Sequence, residues 1–220
     1  MGGLESLGLA LGAAFASGLN LYATVATLGL LHRFEVVQLP PELAVLAHPV
    51  VLGVAILLYA VEFFADKIPY VDNVWDVIHT FIRPPAAALL AWTALAPSSL
   101  APGGLEEPWR LVAALLAGSV ALTSHGAKAS ARAGVNTSPE PVSNWVLSLF
   151  EDGLAIGVAW LAVTHPLLTL GLVLVLTTLC IYLIVKLFGL LRWGLRRLLA
   201  PRSGPSAGAR PAAGGANTAS

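Results

Sequence analysis

A single cysteine, Cys180, leaves no partner for an intrachain disulfide and no thiolate set for a metal. Charge is scarce as well: Asp, Glu, Lys and Arg make up 11% of the 220 residues, against 57% hydrophobic and a mean hydropathy of +0.80. A soluble domain carries about 25% charged residues, so this composition excludes an ordinary water-soluble fold and specifies an integral membrane protein. Twelve basic residues balance twelve acidic ones. That removes the basic footprint of a nucleic-acid binder, and no nucleic-acid module is present. Also lacking are H-E-x-x-H and G-x-S-x-G strings and a cysteine nucleophile motif. An enzyme is therefore the least favoured class, and neither a cofactor nor a metal is called for.

What is present is a series of long apolar runs. Leu4 to Leu31, Leu43 to Ala65, Asp72 to Ala96, Arg110 to Ala131, Ser143 onward through Trp160, and Leu167 to Leu191 read as about six membrane spans of an all-α, polytopic protein. The first run lacks the Lys/Arg-rich start of a signal peptide and is kept as a span. The sixth is apolar nearly all round and reads as a lipid-facing wall. Residues 1–195 are expected to form one transmembrane domain, and 196–220 a disordered tail, basic and then rich in Gly, Ala, Pro and Ser. Arg192, Arg196, Arg197, Arg202 and Arg210 belong on the cytoplasmic side. With six spans, both termini are then cytoplasmic, Ser98 lies in an external loop and Ser138 in a cytoplasmic one.

The centre of the pattern is the stretch from Asp72 to Pro85. Asp72, Asp76, His79 and Arg83 are spaced four, three and four apart, which places them on one stripe of a helix. Pro84 and Pro85 remove two helical donors, which predicts a break there. Asn73, Trp75 and Trp92 are echoed by Asn144, Trp145 and Trp160, a weak internal repeat. It predicts matching breaks in the third and fifth segments, broken spans or, in a rival topology, re-entrant hairpins. Interrupted segments in corresponding places point to a transporter's binding site.

Other polar residues recur on single faces: Ser17, Asn20, Thr24 and Thr27; Tyr59, Glu62 and Asp66; His125, Lys128 and Arg132; Asn144, Ser148 and Glu151. Gly8 and Gly12 form a G-x-x-x-G contact surface. At ~1.5 Å per residue, Arg83 and Glu151 sit about 10 to 15 Å from the cytoplasmic helix starts. A charge there costs about 2.5 to 3.5 kcal/mol unless paired or hydrated. Asn20, Glu62, Asp66, Asp76, His79, Arg83, His125, Lys128, Glu151 and Asp152 are thus the candidates for one cytoplasm-facing polar pocket. Arg83 is expected to meet Glu151 or Asp152. Blander readings stand beside these: an ion pair that only fixes register, Lys128 and Arg132 snorkelling to an interface, Asp72 as a helix cap, and the Asn20 stripe as interhelical glue.

The runs Ala16–Thr24, Val61 to Pro69, Val71 to Asp76, His79 to Pro85, His125 to Lys128, and Asn136 to Pro141 with Ser143 to Trp145 resemble, in order, a bacterial membrane family catalogued as domain of unknown function 4126. The resemblance spans roughly Leu7 to Ala162. It implies a multi-pass protein of the bacterial inner membrane and supplies no activity. The leading functional expectation is a small transporter or channel for an anionic or amphiphilic solute, with proton coupling through Glu151, Asp152 or His125 as an option. A membrane scaffold held by a structural ion-pair network is the alternative. Lipids, a small solute and a second copy of the chain are the partners this reading admits.

Overall fold

A computed structural model describes residues 2–68, 70–96, 106–136 and 141–199. Among these residues seven α-helices follow one another: α1 Gly3–Leu19, α2 Leu21–Arg33, α3 Pro49–Ala65, α4 Val71–Ala94, α5 Glu107–Val135, α6 Pro141–Thr164 and α7 Pro166–Leu199. A 3-10 segment, Pro41–Ala47, precedes α3. Prolines open α3, α6 and α7, where a missing N–H costs nothing and the fixed φ suits the first turn. No strand occurs among the described residues. The loops around Ser98 and Ser138 lie outside them, as do residues 200–220. α7 runs on to Leu199.

The helices pack around α1, which touches α4, α5, α6 and α7. Twelve of its 17 residues are buried. Such centrality needs small side chains, and the G-x-x-x-G pair supplies them. A Cβ on Gly8 would lie 2.1 Å from the Pro166 carbonyl oxygen, and one on Gly12 would lie 2.6 Å from the Cβ of Ala162. Gly18 is tighter still, with a Cβ there meeting the Ser124 hydroxyl at 1.9 Å and the carbonyl of Ala121 at 2.3 Å. α7 leaves Leu174, Val175, Val185 and Leu190 exposed, as a wall facing lipid should.

The expected breaks are not where the prolines suggested. α4 is one helix through Pro84 and Pro85, and α6 is one helix through Gly153. The rings of Pro84 and Pro85 lie off the buried stripe, half-buried and exposed respectively, while Arg83 on that stripe is fully buried. Packing along the stripe therefore holds the helix, and two lost backbone bonds do not end it. The matching breaks that motivated the internal repeat and the re-entrant third and fifth segments are absent.

The break falls at Asn20 instead, inside the first apolar run. Its backbone is extended (φ −151°, ψ 104°), ending α1 and starting α2. The polar stripe drawn through Ser17, Asn20, Thr24 and Thr27 is thus not a face of one helix. Contacts give the direction of each piece. α1 begins beside Pro166 and ends beside Ser124, at mid-height of α5. α2 begins with Tyr22 bonded to His79 and reaches Gly29 against Leu46 and Leu52, at the start of α3. Since α3 ends at the Glu62–Arg83 contact, α2 runs back toward the end from which α1 came. The first run is thus a helical hairpin, α1 and α2, with Asn20 at its tip.

A second bend of 63° separates Pro41–Ala47 from α3. Among the described residues, three helical stretches can cross a membrane by length and composition, Glu107–Val135, Val142–Thr164 and Pro166–Leu190, or four if the bent pair counts as one span. The expectation of six spans is thereby reduced. α1 and α7 run parallel, since Gly8 meets Pro166 and Gly12 meets Thr169. Gly3 and the last turns of α7 therefore lie at opposite ends of the bundle.

Candidate functional site

One end of the bundle is alanine and glycine, and the other is charge. The α4 stripe predicted from spacing is real: Asp72, Asp76, His79 and Arg83 are all buried. It faces a matching stripe on α5, Ser124, His125, Lys128 and Arg132. The end of α3 adds Glu62 and Asp66, and α6 adds Asn144, Ser148, Glu151 and Asp152. Each of the ten candidate residues is at most 4% exposed.

The tip of the hairpin enters this cluster and is held on three sides. The last carbonyls of α1 have no helical partner; Arg83 Nη1 donates to Gly18 O at 2.8 Å and Lys128 Nζ to Leu19 O at 3.0 Å. Cations at a helix C-terminus also complement its dipole. Asn20 Oδ1 caps α2 by accepting from the N–H of Ala23 at 2.9 Å, and its amide donates to Asp152 Oδ1 at 2.9 Å. Asparagine suits the tip because its side chain offers one acceptor and one donor group, and both are used.

The charges form a connected web. Arg83 Nη2 donates to Glu62 Oε1 at 2.5 Å, and Lys128 reaches the same oxygen at 3.1 Å and Asp66 Oδ2 at 2.9 Å. Arg132 donates to Asp66 Oδ2 at 2.9 Å and to Glu151 Oε2, and lies 3.6 Å from Asp72 and 4.0 Å from Asp76. Asn136 donates to both Asp72 oxygens and accepts from Asn144 at 2.8 Å. Arg83 does not meet Glu151 or Asp152, contrary to expectation. Its reach goes to α3, the segment whose Glu62 is nearest in height, while Arg132 takes Glu151.

Both histidines have their tautomers fixed by their neighbours. Arg83 Nη1 can only donate, so His125 Nδ1 accepts at 2.9 Å; Nε2–H then donates toward the Asp76 carbonyl at 3.0 Å. His125 is a neutral spacer in this arrangement. His79 Nδ1–H donates to the Trp75 carbonyl at 2.8 Å, leaving Nε2 to accept from the Tyr22 hydroxyl at 3.1 Å. His79 thereby ties α4 to the first turn of α2.

Spacing alone understated Arg132 and Asp72. Arg132, read as a snorkelling side chain, is 0% exposed and is the most shared cation of the cluster; Asp72, read as a cap, is buried against Asn136. The signal for Arg132 was its place four residues beyond Lys128 on one stripe. Lys67 was given no part in the site. It is 8% exposed, donates to Ser148 at 3.2 Å and lies over the Phe63 ring. A cavity of about 390 Å³ lies beside the cluster, not in it, among Tyr22, Val25, Val51, Val54, Leu58 and Leu90. No group of three or more His, Cys, Asp or Glu among the described residues could hold a metal ion.

Apolar helices around a buried charge cluster define a helical membrane protein. The chain belongs to the family described as domain of unknown function (DUF4126), whose model matches residues 7–186. No curated protein and no solved structure matches it.

Proposed function

We propose that the protein is a small bacterial inner-membrane transporter whose cargo path passes the tip of the α1–α2 hairpin. One observation carries this reading: a helix is broken at Asn20 in the middle of the bundle, and its end carbonyls meet the cations of a charge cluster. Non-helical backbone at membrane depth is tolerated where it is buried in protein or lines a path, and half-helix ends are the usual ion and substrate sites of transporters. Arg83 and Lys128 are engaged by carboxylates and carbonyls. The anionic solute suggested by the sequence therefore has no free cation of that pair to meet. Six buried carboxylates, Glu62, Asp66, Asp72, Asp76, Glu151 and Asp152, face the three salt-bridging cations Arg83, Lys128 and Arg132. That surplus favours a cationic cargo exchanged against protons.

In the topology that goes with this reading, the hairpin enters and leaves from the periplasmic side and α3 to α7 cross. Lys67, Arg192 and Arg196 then lie toward the cytoplasm, and Arg33 and Arg110 outside, as the positive-inside rule prefers. The test is reconstitution of the full chain into liposomes holding a pH-indicating dye. Adding monovalent inorganic or organic cations outside should release internal protons, and Asn20→Ala should abolish the release. Absence of exchange with every cation would remove the reading. The structural scaffold is the second reading, favoured by the closed pairing of Arg83, Lys128 and Arg132, all with side chains 0% exposed. It predicts no exchange, and tolerance of paired apolar replacements.

A further inference from the structure

Arg132 is shared too widely for its one charge. It donates to Glu151 and Asp66 and lies 3.6 Å from Asp72 and 4.0 Å from Asp76. Lys128 adds one further charge, 2.9 Å from Asp66 and 3.9 Å from Glu151, but it also serves Glu62; two cations still leave four buried carboxylates short of neutral, so protons have to supply part of the balance. Three of the four have donors of their own: Glu151 from Arg132, Asp66 from Lys128 and Arg132, Asp72 from Asn136. Asp76 has none. Both of its carboxylate oxygens are buried without a hydrogen-bond partner, and its side chain is 3% exposed.

The surrounding groups explain why Asp76 is left over. Lys128 on α5 is turned to Glu62, Asp66 and the α1 terminus, and Arg83 on α4 to Glu62 and Gly18. His125 on α5 is engaged by Arg83 and the Thr80 hydroxyl, and of Asp76 it meets the backbone carbonyl, not the carboxylate. His79, one turn further along α4, is turned to Tyr22 of α2 and to Trp75. Asp66, from the end of α3, adds negative charge nearby, and Glu151, from α6, competes for the same guanidinium. The one group among the described residues able to answer an ionised Asp76 without changing partners wholesale is Arg132, whose Nε, now donating to Glu151, lies 4.0 Å from Asp76 Oδ2.

We propose that Asp76 is the proton-binding site of the cluster, and that its ionisation draws Arg132 away from Glu151, loosening α6 from α5. The proton passes between a carboxylate oxygen of Asp76 and the aqueous phase that opens to it; no other bond is made or broken. Arg132 stays charged throughout and only changes partner. The coupling half of this proposal deepens the transport reading and rests on it, whereas the proton site does not need a cargo.

The test uses the full-length protein in lipid nanodiscs and isotope-edited infrared difference spectroscopy with ¹³C-labelled aspartate. A protonated-carboxyl C=O band should be present at neutral pH, move with the label, vanish as pH is raised, and be missing in Asp76→Asn. Absence of an aspartate band in the unaltered protein overturns the proposal without reference to any variant, as does a band that survives Asp76→Asn. A distance probe between the ends of α5 and α6 should lengthen as pH rises, and Asp76→Asn, which mimics the protonated acid, should hold it at its neutral-pH value. A lengthening that is the same in the variant overturns the coupling. Band and distance are both read without cargo, so their presence beside a failed liposome exchange would discard the transport reading alone.

Discussion

Along α4 and along α5 the buried face changes character halfway, and it does so in opposite directions. On α4 it runs Asp72, Asp76, His79, Arg83 and then Ala87, Ala91, Ala94. On α5 it runs Ala113, Ala117, Gly118, Ala121 and then Ser124, His125, Lys128, Arg132. The helices are antiparallel, so alanine meets alanine at one end of the bundle and charge meets charge at the other. The alanine end is held by close approach: a Cβ on Gly118 would already lie 3.1 Å from the Pro84 carbonyl. The charged end is held by directed bonds between groups that cannot be left alone. One end is thus sensitive to volume, and the other to the removal of a single partner.

The largest expected effect belongs to the charged end. Glu62→Leu leaves Arg83 without its carboxylate and takes one from Lys128, and should lower stability by about 3–5 kcal/mol, as when one partner of a buried pair is removed. Adding Arg83→Met should recover part of that loss, although Arg83 also caps Gly18. Thermal unfolding in detergent, run as a double-mutant cycle, reads this directly. Strict additivity would break the contrast, because it would mean that the charges do not act as partners. Arg83→Met with Asp152→Leu should be additive, since Asp152 bonds Asn20 and not Arg83.

Volume is the corresponding lever where the hairpin packs. Gly18→Ala would put a methyl 1.9 Å from Ser124 Oγ and 2.3 Å from the Ala121 carbonyl, and should cost about 1–3 kcal/mol as overpacking. The hydroxyl can turn aside but the carbonyl cannot, so combining it with Ser124→Ala should recover little. The same measurement at Gly53, Gly134 or Gly157, where an added Cβ meets nothing within 4 Å, should show no such penalty. A smaller effect is expected at Tyr70, which opens α4 with φ 71° and is 62% exposed. Tyr70→Gly relieves the left-handed backbone and should change stability by no more than about 1 kcal/mol.

How much of this could be read in the sequence follows from the same contrast. Period and spacing report which residues share a helix face, so the Asp72–Arg83 stripe, the His125–Arg132 stripe and the Gly8–Gly12 contact were all legible. Which face meets which is a tertiary fact, and there the reading failed: Arg83 was paired with α6 when Glu62 on α3 stands at its height. Proline gave the wrong break, because a double proline outside the packed stripe does not end a helix whose stripe is held on both sides. Asn20 carried no such conspicuous mark. Its strongest hint was a buried-type run, Ala16 to Ala23, interrupted by one residue that caps well at a helix start. A hairpin that turns back cannot be told from a straight span by hydropathy, since both are apolar throughout.

The hairpin is the feature on which the proposed topology depends, and that topology puts Gly3 on the periplasmic side. With Cys180→Ser as background, Gly3→Cys and Arg196→Cys can be labelled in intact cells by a membrane-impermeant maleimide. If the first apolar run turns back at Asn20, as α1 and α2 do, Gly3→Cys reacts in intact cells and Arg196→Cys reacts only after lysis. Protection of both positions until lysis would return the first run to a single span, and with it remove the helix tip from the charge cluster.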